Sequence, residues 1–148
     1  MNRINIITLA VTDLDKSIKF YMNGLGFKSR NTDYTRYNPN PVIFFNTDGG
    51  VIFGLTTARI NGLDTSENMR EQKMLSGVIL EYVCKDKEEV DAILTMAKKA
   101  GATSIVDPVE TEWDGYMGYF RDLDGYDWTV LYDPIAKFDD NGNLVDYE

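Results

Sequence analysis

The sequence of 148 residues contains no histidine and only one cysteine. Without histidine, the commonest neutral metal ligand and the usual proton shuttle near neutral pH are both missing. Any acid–base chemistry then rests on carboxylates, tyrosines or lysines. Cys84 cannot form a disulfide within the chain. It closes the strand-like run Val78-Ile79-Leu80-Glu81-Tyr82-Val83-Cys84, where a partly buried, inert thiol is expected, because a nucleophilic cysteine needs a base to take its proton. Basic side chains are also scarce, 15 against 24 acidic ones, and a net charge of −9 works against binding to nucleic acid or an anionic membrane. The longest apolar runs, such as Val42 to Phe45 and Val51 to Leu55, fall far short of the roughly 20 residues that a membrane helix needs. Met1-Asn2-Arg3-Ile4-Asn5 has neither the basic nor the apolar region of a secretory signal. These absences lead us to expect a soluble, cytoplasmic protein whose partners are small molecules or other proteins.

What is present is a repeat. With 43% apolar residues the chain can bury one compact core, or two small modules sharing one. The first segment opens with the β-branched run Ile4 to Val11, then Thr12-Asp13 as a helix cap and a helix to about Asn23, with Leu14, Ile18, Tyr21 and Leu25 on one apolar face. Gly24 and Gly26 stop that helix. Strands are predicted around Phe27 to Asp33, Val42 to Asn46 and Val51 to Thr57, with turns at Asn38-Pro39-Asn40-Pro41 and Asp48-Gly49-Gly50. The second segment repeats the order. A strand from Gly77 to Cys84 leads to the capping-box-like Asp86-Lys87-Glu88-Glu89 and a helix with Val90, Ile93, Leu94 and Ala97 on its apolar face, ended by Gly101. Strands follow at about Thr103 to Asp107, Tyr116 to Arg121 and Asp127 to Tyr132, with Asp122-Leu123-Asp124-Gly125 as the turn.

The expected fold class is α+β: two tandem βαβββ modules, about 1–57 and 77–134, within one domain covering 1–134. Residues 58–76 read as a polar linker, with a short helix predicted around Ser66 to Lys73. Residues 135–148 form an acidic extension. Its run Asp139-Asp140-Asn141-Gly142-Asn143 invites a calcium reading, but the EF-hand loop needs a glutamate at its twelfth position, which would lie past Glu148. A surface turn between short strands at Ile135 to Phe138 and Leu144 to Tyr147 is the expectation.

Asp13-Leu14-Asp15-Lys16-Ser17-Ile18-Lys19-Phe20-Tyr21 followed by Leu25-Gly26-Phe27 resembles the vicinal oxygen chelate superfamily, which includes glyoxalase I, extradiol dioxygenases and bleomycin and fosfomycin resistance proteins. Glu89-Val90-Asp91-Ala92, Ala100-Gly101-Ala102 and Gly118 to Trp128 extend the likeness, so that it covers nearly everything from Arg3 to Pro134. The resemblance implies mixed sheets that curl around a cleft, often within a homodimer. It also implies a metal in many members, with ligands at positions that here hold Ile6, Ile79, Thr129 and Phe53. Isoleucine and phenylalanine cannot coordinate, and a lone threonine hydroxyl is a poor ligand for zinc, iron or nickel. No metal and no other cofactor is therefore expected, and metal-dependent activities of the family are disfavoured.

Strand alternation then points side chains into the cleft. With Ile6, Ile79 and Thr129 inward, Thr8, Glu81, Asp127 and Leu131 follow. Glu81 interrupts an apolar strand, where burial would suit it to proton transfer or to pairing with a cationic ligand, while a place at an edge or at the mouth of the cleft would let it reach water or an internal Arg or Lys; Glu81 and Asp127 are the candidate catalytic carboxylates. Trp113 and Tyr116, in the loop entering the seventh strand, offer flat faces for a ring or a cation, or equally an interface contact. Tyr34, Tyr37 and Phe45 could complete an aromatic lining, although Tyr and Phe in strands are more often ordinary packing residues, with Thr8 and Thr129 as hydroxyls. Two functions follow: a metal-free protein that binds a small aromatic or cationic molecule, or a metal-independent lyase or isomerase using a cleft carboxylate as base. A degenerate member with an occluded cleft, kept for assembly, is a third.

Overall fold

In a computed structural model of the chain, residues 4–31, 33, 41–48, 50–57, 59–60, 63–64 and 78–146 are described. The chain divides into two compact units, Met1–Lys73 and Met74–Glu148. Tyr34, Tyr37 and the predicted linker helix lie outside the described residues.

The first unit runs β1 (Ile6–Val11), α1 (Leu14–Lys19), β2 (Lys28–Ser29), β3 (Val42–Asn46) and β4 (Ile52–Thr57). Its sheet has the order β1-β4-β3-β2, with β1 parallel to β4 and the other pairs antiparallel. The carboxylate of Asp13 caps α1 by accepting from the Lys16 N–H at 3.0 Å. After Lys19 the helix widens into a π-helical turn, Phe20–Gly24, closed by the Leu25 N–H donating to the Phe20 carbonyl at 3.0 Å. The buried stripe is Leu14, Ser17, Phe20 and Tyr21, while Ile18 and Leu25 are only half-buried. This corrects the expected face: the Phe20 ring carries more apolar area than Ile18, and the small Ser17 lets the helix sit close on the sheet. Tyr21 then packs among Phe20, Phe27, Phe45 and Phe53, with ring centroids 5.3 to 6.1 Å away. A two-stranded hairpin, β5 (Arg59–Ile60) with β6 (Leu63–Asp64), follows β4.

The second unit repeats the plan with β7 (Ile79–Cys84), α2 (Lys87–Ala100), β8 (Ser104–Glu110), β9 (Tyr116–Arg121) and β10 (Asp127–Tyr132), in the sheet order β7-β10-β9-β8. Again the first and last strands are parallel. Asp86 caps α2 by accepting from the Glu89 N–H at 2.8 Å, and Glu89 reaches back to the Lys85 N–H at 2.8 Å. The reciprocal bond thus falls one residue before the cap. Gly101, at φ 97°, ends the helix in the left-handed region that suits glycine. Val90, Leu94 and Ala97 are buried against the sheet. Gly118 in β9 permits that approach, since a Cβ there would lie 2.5 Å from Leu94 Cδ1. Trp128 and Phe120 stack on the same side with centroids 5.7 Å apart.

The acidic extension forms the expected hairpin, β11 (Lys137–Phe138) with β12 (Leu144–Asp146). Asp139 is occupied by its own loop: it accepts from the Asn141 and Asn143 backbone N–H groups and from the Asn143 amide at 2.8 Å. Those bonds, the Asn143 side chain first, hold its carboxyl below the usual range. Among the described residues no helix is long and apolar enough to cross a membrane.

Candidate functional site

In each unit the helix covers one sheet face, and among the described residues no helix covers the other. In the second unit the register lays out the open face as rows across β7, β10, β9 and β8. One row is Ile79, Asp127, Arg121, Ser104; the next is Glu81, Thr129, Tyr119, Val106. The rows are set by period-two alternation, which sends Leu80, Trp128 and Phe120 to the helix side instead.

These rows hold a pocket of about 280 Å³, lined by Ile79, Ser104, Val106, Tyr119, Phe120, Arg121, Asp127 and Thr129. Ile79, Val106 and Tyr119 stay substantially exposed, so the floor of the pocket is apolar surface left facing water. Thr129 is buried although it points to the open side, because it lies on an inner strand between Glu81 and Tyr119. Glu81 stands exposed beside the pocket on the edge strand β7, which is the edge carboxylate reaching water and not the buried base. An edge strand has a neighbour on one side only, and its side chains keep access to water.

Asp127 is engaged. Its carboxylate accepts from Arg121 Nε at 2.7 Å and from Arg121 Nη2 at 3.1 Å, a two-pronged ion pair that raises the guanidinium's proton affinity further. With both oxygens committed to Arg121, Asp127 is poorly placed to take a proton from a substrate. Arg121 itself was not singled out in the sequence. The signal was available: Arg121 and Asp127 flank the Asp122 to Gly125 turn, and a hairpin there sets them opposite each other in register.

The other sequence-predicted residues lie elsewhere. Tyr116 is on the helix side of β9, its hydroxyl donating to Asp91 Oδ1 at 3.1 Å and its ring 5.8 Å from Lys87 Nζ. Partial desolvation, then Asp91, pushes its phenol up. Lys87 also binds Glu110 at 2.7 Å, so this cluster is a surface network behind the pocket. Trp113 folds onto its own turn, its ring filling the place of a Gly115 side chain, and remains 44% exposed without lining the pocket. Phe45 is a correction: it is fully buried in the aromatic core of the first unit, against Tyr21, Phe27 and Phe53, because β3 alternation turns Phe44 rather than Phe45 to the open side. Thr8 does lie exposed on the first unit's open face, opposite Gly54.

The sequence of residues 3–130 matches the family model described as the glyoxalase/bleomycin resistance protein/dioxygenase superfamily. The chain belongs to that superfamily. Its fold is similar to that of a glyoxalase-related enzyme from Fulvimarina pelagi, at 20% identity and a TM-score of 0.75 over 100% of both chains. It is also similar to a family enzyme from Burkholderia phytofirmans PsJN, at 18% identity and a TM-score of 0.66 over 86% of this chain and 96% of that one. A glyoxalase/bleomycin resistance protein from Albidiferax ferrireducens T118 is 25% identical, with a TM-score of 0.61 over 88% of this chain and 98% of that one. No curated protein matches the sequence.

Superfamily membership makes the metal positions testable against the donor set, and one of them needs correcting. Ile6 pairs with Ile52 as Ile79 pairs with Asp127, so the counterpart of Thr129 is Gly54 and not Phe53. Five residues separate β3 from β4 and β9 from β10 alike, but Asp48 stands one position earlier in its loop than Asp124 does, so counting from the aspartate misses by one residue, and a one-residue slip turns a side chain to the other face. The four positions are therefore Ile6, Gly54, Ile79 and Thr129, three of which have no ligating atom on the side chain. Phe44 lies across Gly54, where a Cβ would come 2.9 Å from its ring. Among the described residues no three His, Cys, Asp or Glu side chains converge. This donor set does not fit a transition metal.

Proposed function

We propose that this superfamily member binds a small, ring-bearing, cationic molecule on the open face of its second sheet, without using a transition metal. The observation that carries the reading is the pocket on that face, with an apolar floor of Ile79, Val106 and Tyr119, flanked by the exposed carboxylate of Glu81. A ring packs on such a floor through area burial and contact with the Tyr119 face. A cation gains from Glu81 and from the net charge of −9 around it. At about 280 Å³ the pocket sits at the low end of small-molecule sites, which favours a single-ring compound over a large glycopeptide. A homodimer, as the family resemblance implies, is compatible with this arrangement and is checked by light scattering on the eluting protein.

The experiment is a thermal shift and calorimetric panel of small cationic aromatic compounds, with matched neutral rings as controls. A ligand present at a hundredfold excess over its Kd stabilises the native state by about 2.7 kcal/mol. The expected outcome is a rise in melting temperature of several degrees for the cations and less for the neutral rings. A flat response across the whole panel rules the proposal out.

A further inference from the structure

The pocket contains a charged group that a simple cation site does not require. Arg121 presents five N–H donors, and Asp127 takes two of them through Nε and Nη2. Among the described residues no other side chain accepts from the guanidinium. The ion pair holds the Arg121 side chain in one orientation, 39% exposed, at the edge of the apolar floor. A guanidinium fixed by one carboxylate with donors left over is prepared for a second planar acceptor, because little side-chain entropy remains to be lost when that acceptor arrives.

Glu81 and Arg121 lie on the same face, with β10 between their strands. Two strand spacings across the sheet and a two-residue offset along it put their backbones about 12 Å apart. Thr129 and Asp127 of β10 stand between them, with Ile79 and Tyr119 to either side. A single aromatic ring lying there has one end toward each charge.

We propose that the ligand of this site is charged at both ends, a cationic group facing Glu81 and a carboxylate received by the free N–H groups of Arg121, with the ring between them on Tyr119 and Ile79. This rests on the open-face binding reading above and extends it: Arg121 selects the ligand class, and cations without the acceptor are weaker ligands. Asp127 carries the opposite charge to Arg121 and tempers the pull on a carboxylate. Recognition therefore comes from directed N–H bonds and is lost when the fork geometry is lost, even if a positive charge is kept.

Three probes separate the possibilities in isothermal calorimetry: 4-(aminomethyl)benzoate with both ends, benzylamine with only the cation, and benzoate with only the anion. The expected result is that 4-(aminomethyl)benzoate binds at least about tenfold more tightly than benzylamine, the size expected for a charge-assisted hydrogen bond. Arg121→Gln should abolish the advantage of the two-ended probe over benzylamine; because it also frees the Asp127 carboxylate, benzylamine itself should bind as well as before or more tightly, and an unchanged circular dichroism spectrum certifies that the variant is folded. Arg121→Lys should fail to restore the lost affinity. Glu81→Gln should weaken benzylamine and 4-(aminomethyl)benzoate alike. Equal affinity for benzylamine and 4-(aminomethyl)benzoate would overturn the role of Arg121 and leave the cation site standing. Absence of binding by all three would overturn both readings together.

Discussion

Cys84 illustrates how one residue's environment sets its chemistry. It is fully buried at the end of β7, and burial, aided by the nearby Glu89 and Asp86 charges, pushes the thiol up to about 12 from an ordinary 9.0. Only the thiolate attacks electrophiles, so Cys84 should resist iodoacetamide at pH 8 in the native protein and react at once in denaturant. Mass spectrometry of the alkylated chain checks this, and rapid native labelling would contradict the burial. The sign of the linkage follows. The folded thiol keeps its proton at pH values where the unfolded one has lost it, so this contribution to stability is complete below about 9 and falls away as pH rises toward about 12. At the same scale the residue types of Glu81 and Thr129 stand out in the sequence, and strand alternation sets both on one face of the sheet. Arg121 drew none, since a guanidinium next to a turn is ordinary until its partner across the hairpin is known.

Elements were more legible than the faces they present. β3, β9 and β10 begin and end where turn residues and β-branched runs predicted, and both helices start at the aspartates read as caps. The departures have local causes. β4 follows β3 after five residues, as β10 follows β9, but Asp48 lies one position earlier in its loop than Asp124 does, so a count from the aspartate falls on the core residue Phe53 instead of on Gly54 at the open side. β8 runs to Glu110, beyond its predicted end, because an irregularity between Val106 and Val109 absorbs Pro108 without ending the pairing. Gly118 tests the packing between α2 and its sheet: Gly118→Ala would set a methyl 2.5 Å from Leu94 Cδ1 and 2.9 Å from the Val106 carbonyl. We expect a loss of about 1–3 kcal/mol in urea unfolding, the usual size for overpacking. A neutral result would mean that the helix can withdraw at no cost.

For the molecule as a whole, the donor set makes a prediction of its own. Ile6, Gly54, Ile79 and Thr129 stand where the family resemblance implies ligands, so purified protein should carry no stoichiometric zinc, iron or nickel by plasma mass spectrometry. A chelator should leave its melting temperature unchanged, because a metal that does not bind the native state cannot stabilise it. Stoichiometric metal, or a chelator-induced drop, would mean that the ligands come from other residues.

The sequence by itself determined the duplicated βαβββ order, the helix caps, the superfamily and the missing metal donors, because hydrophobic periodicity, turn chemistry and side-chain donor atoms are local properties of the chain. Tertiary structure decided which side chains share a face: that Phe45 belongs to a core, that Tyr116 and Trp113 stand away from the pocket, and that Asp127 is bound to Arg121. Those outcomes depend on strand register, and register is fixed by pairing between segments distant in sequence, where a shift of one residue reverses a face.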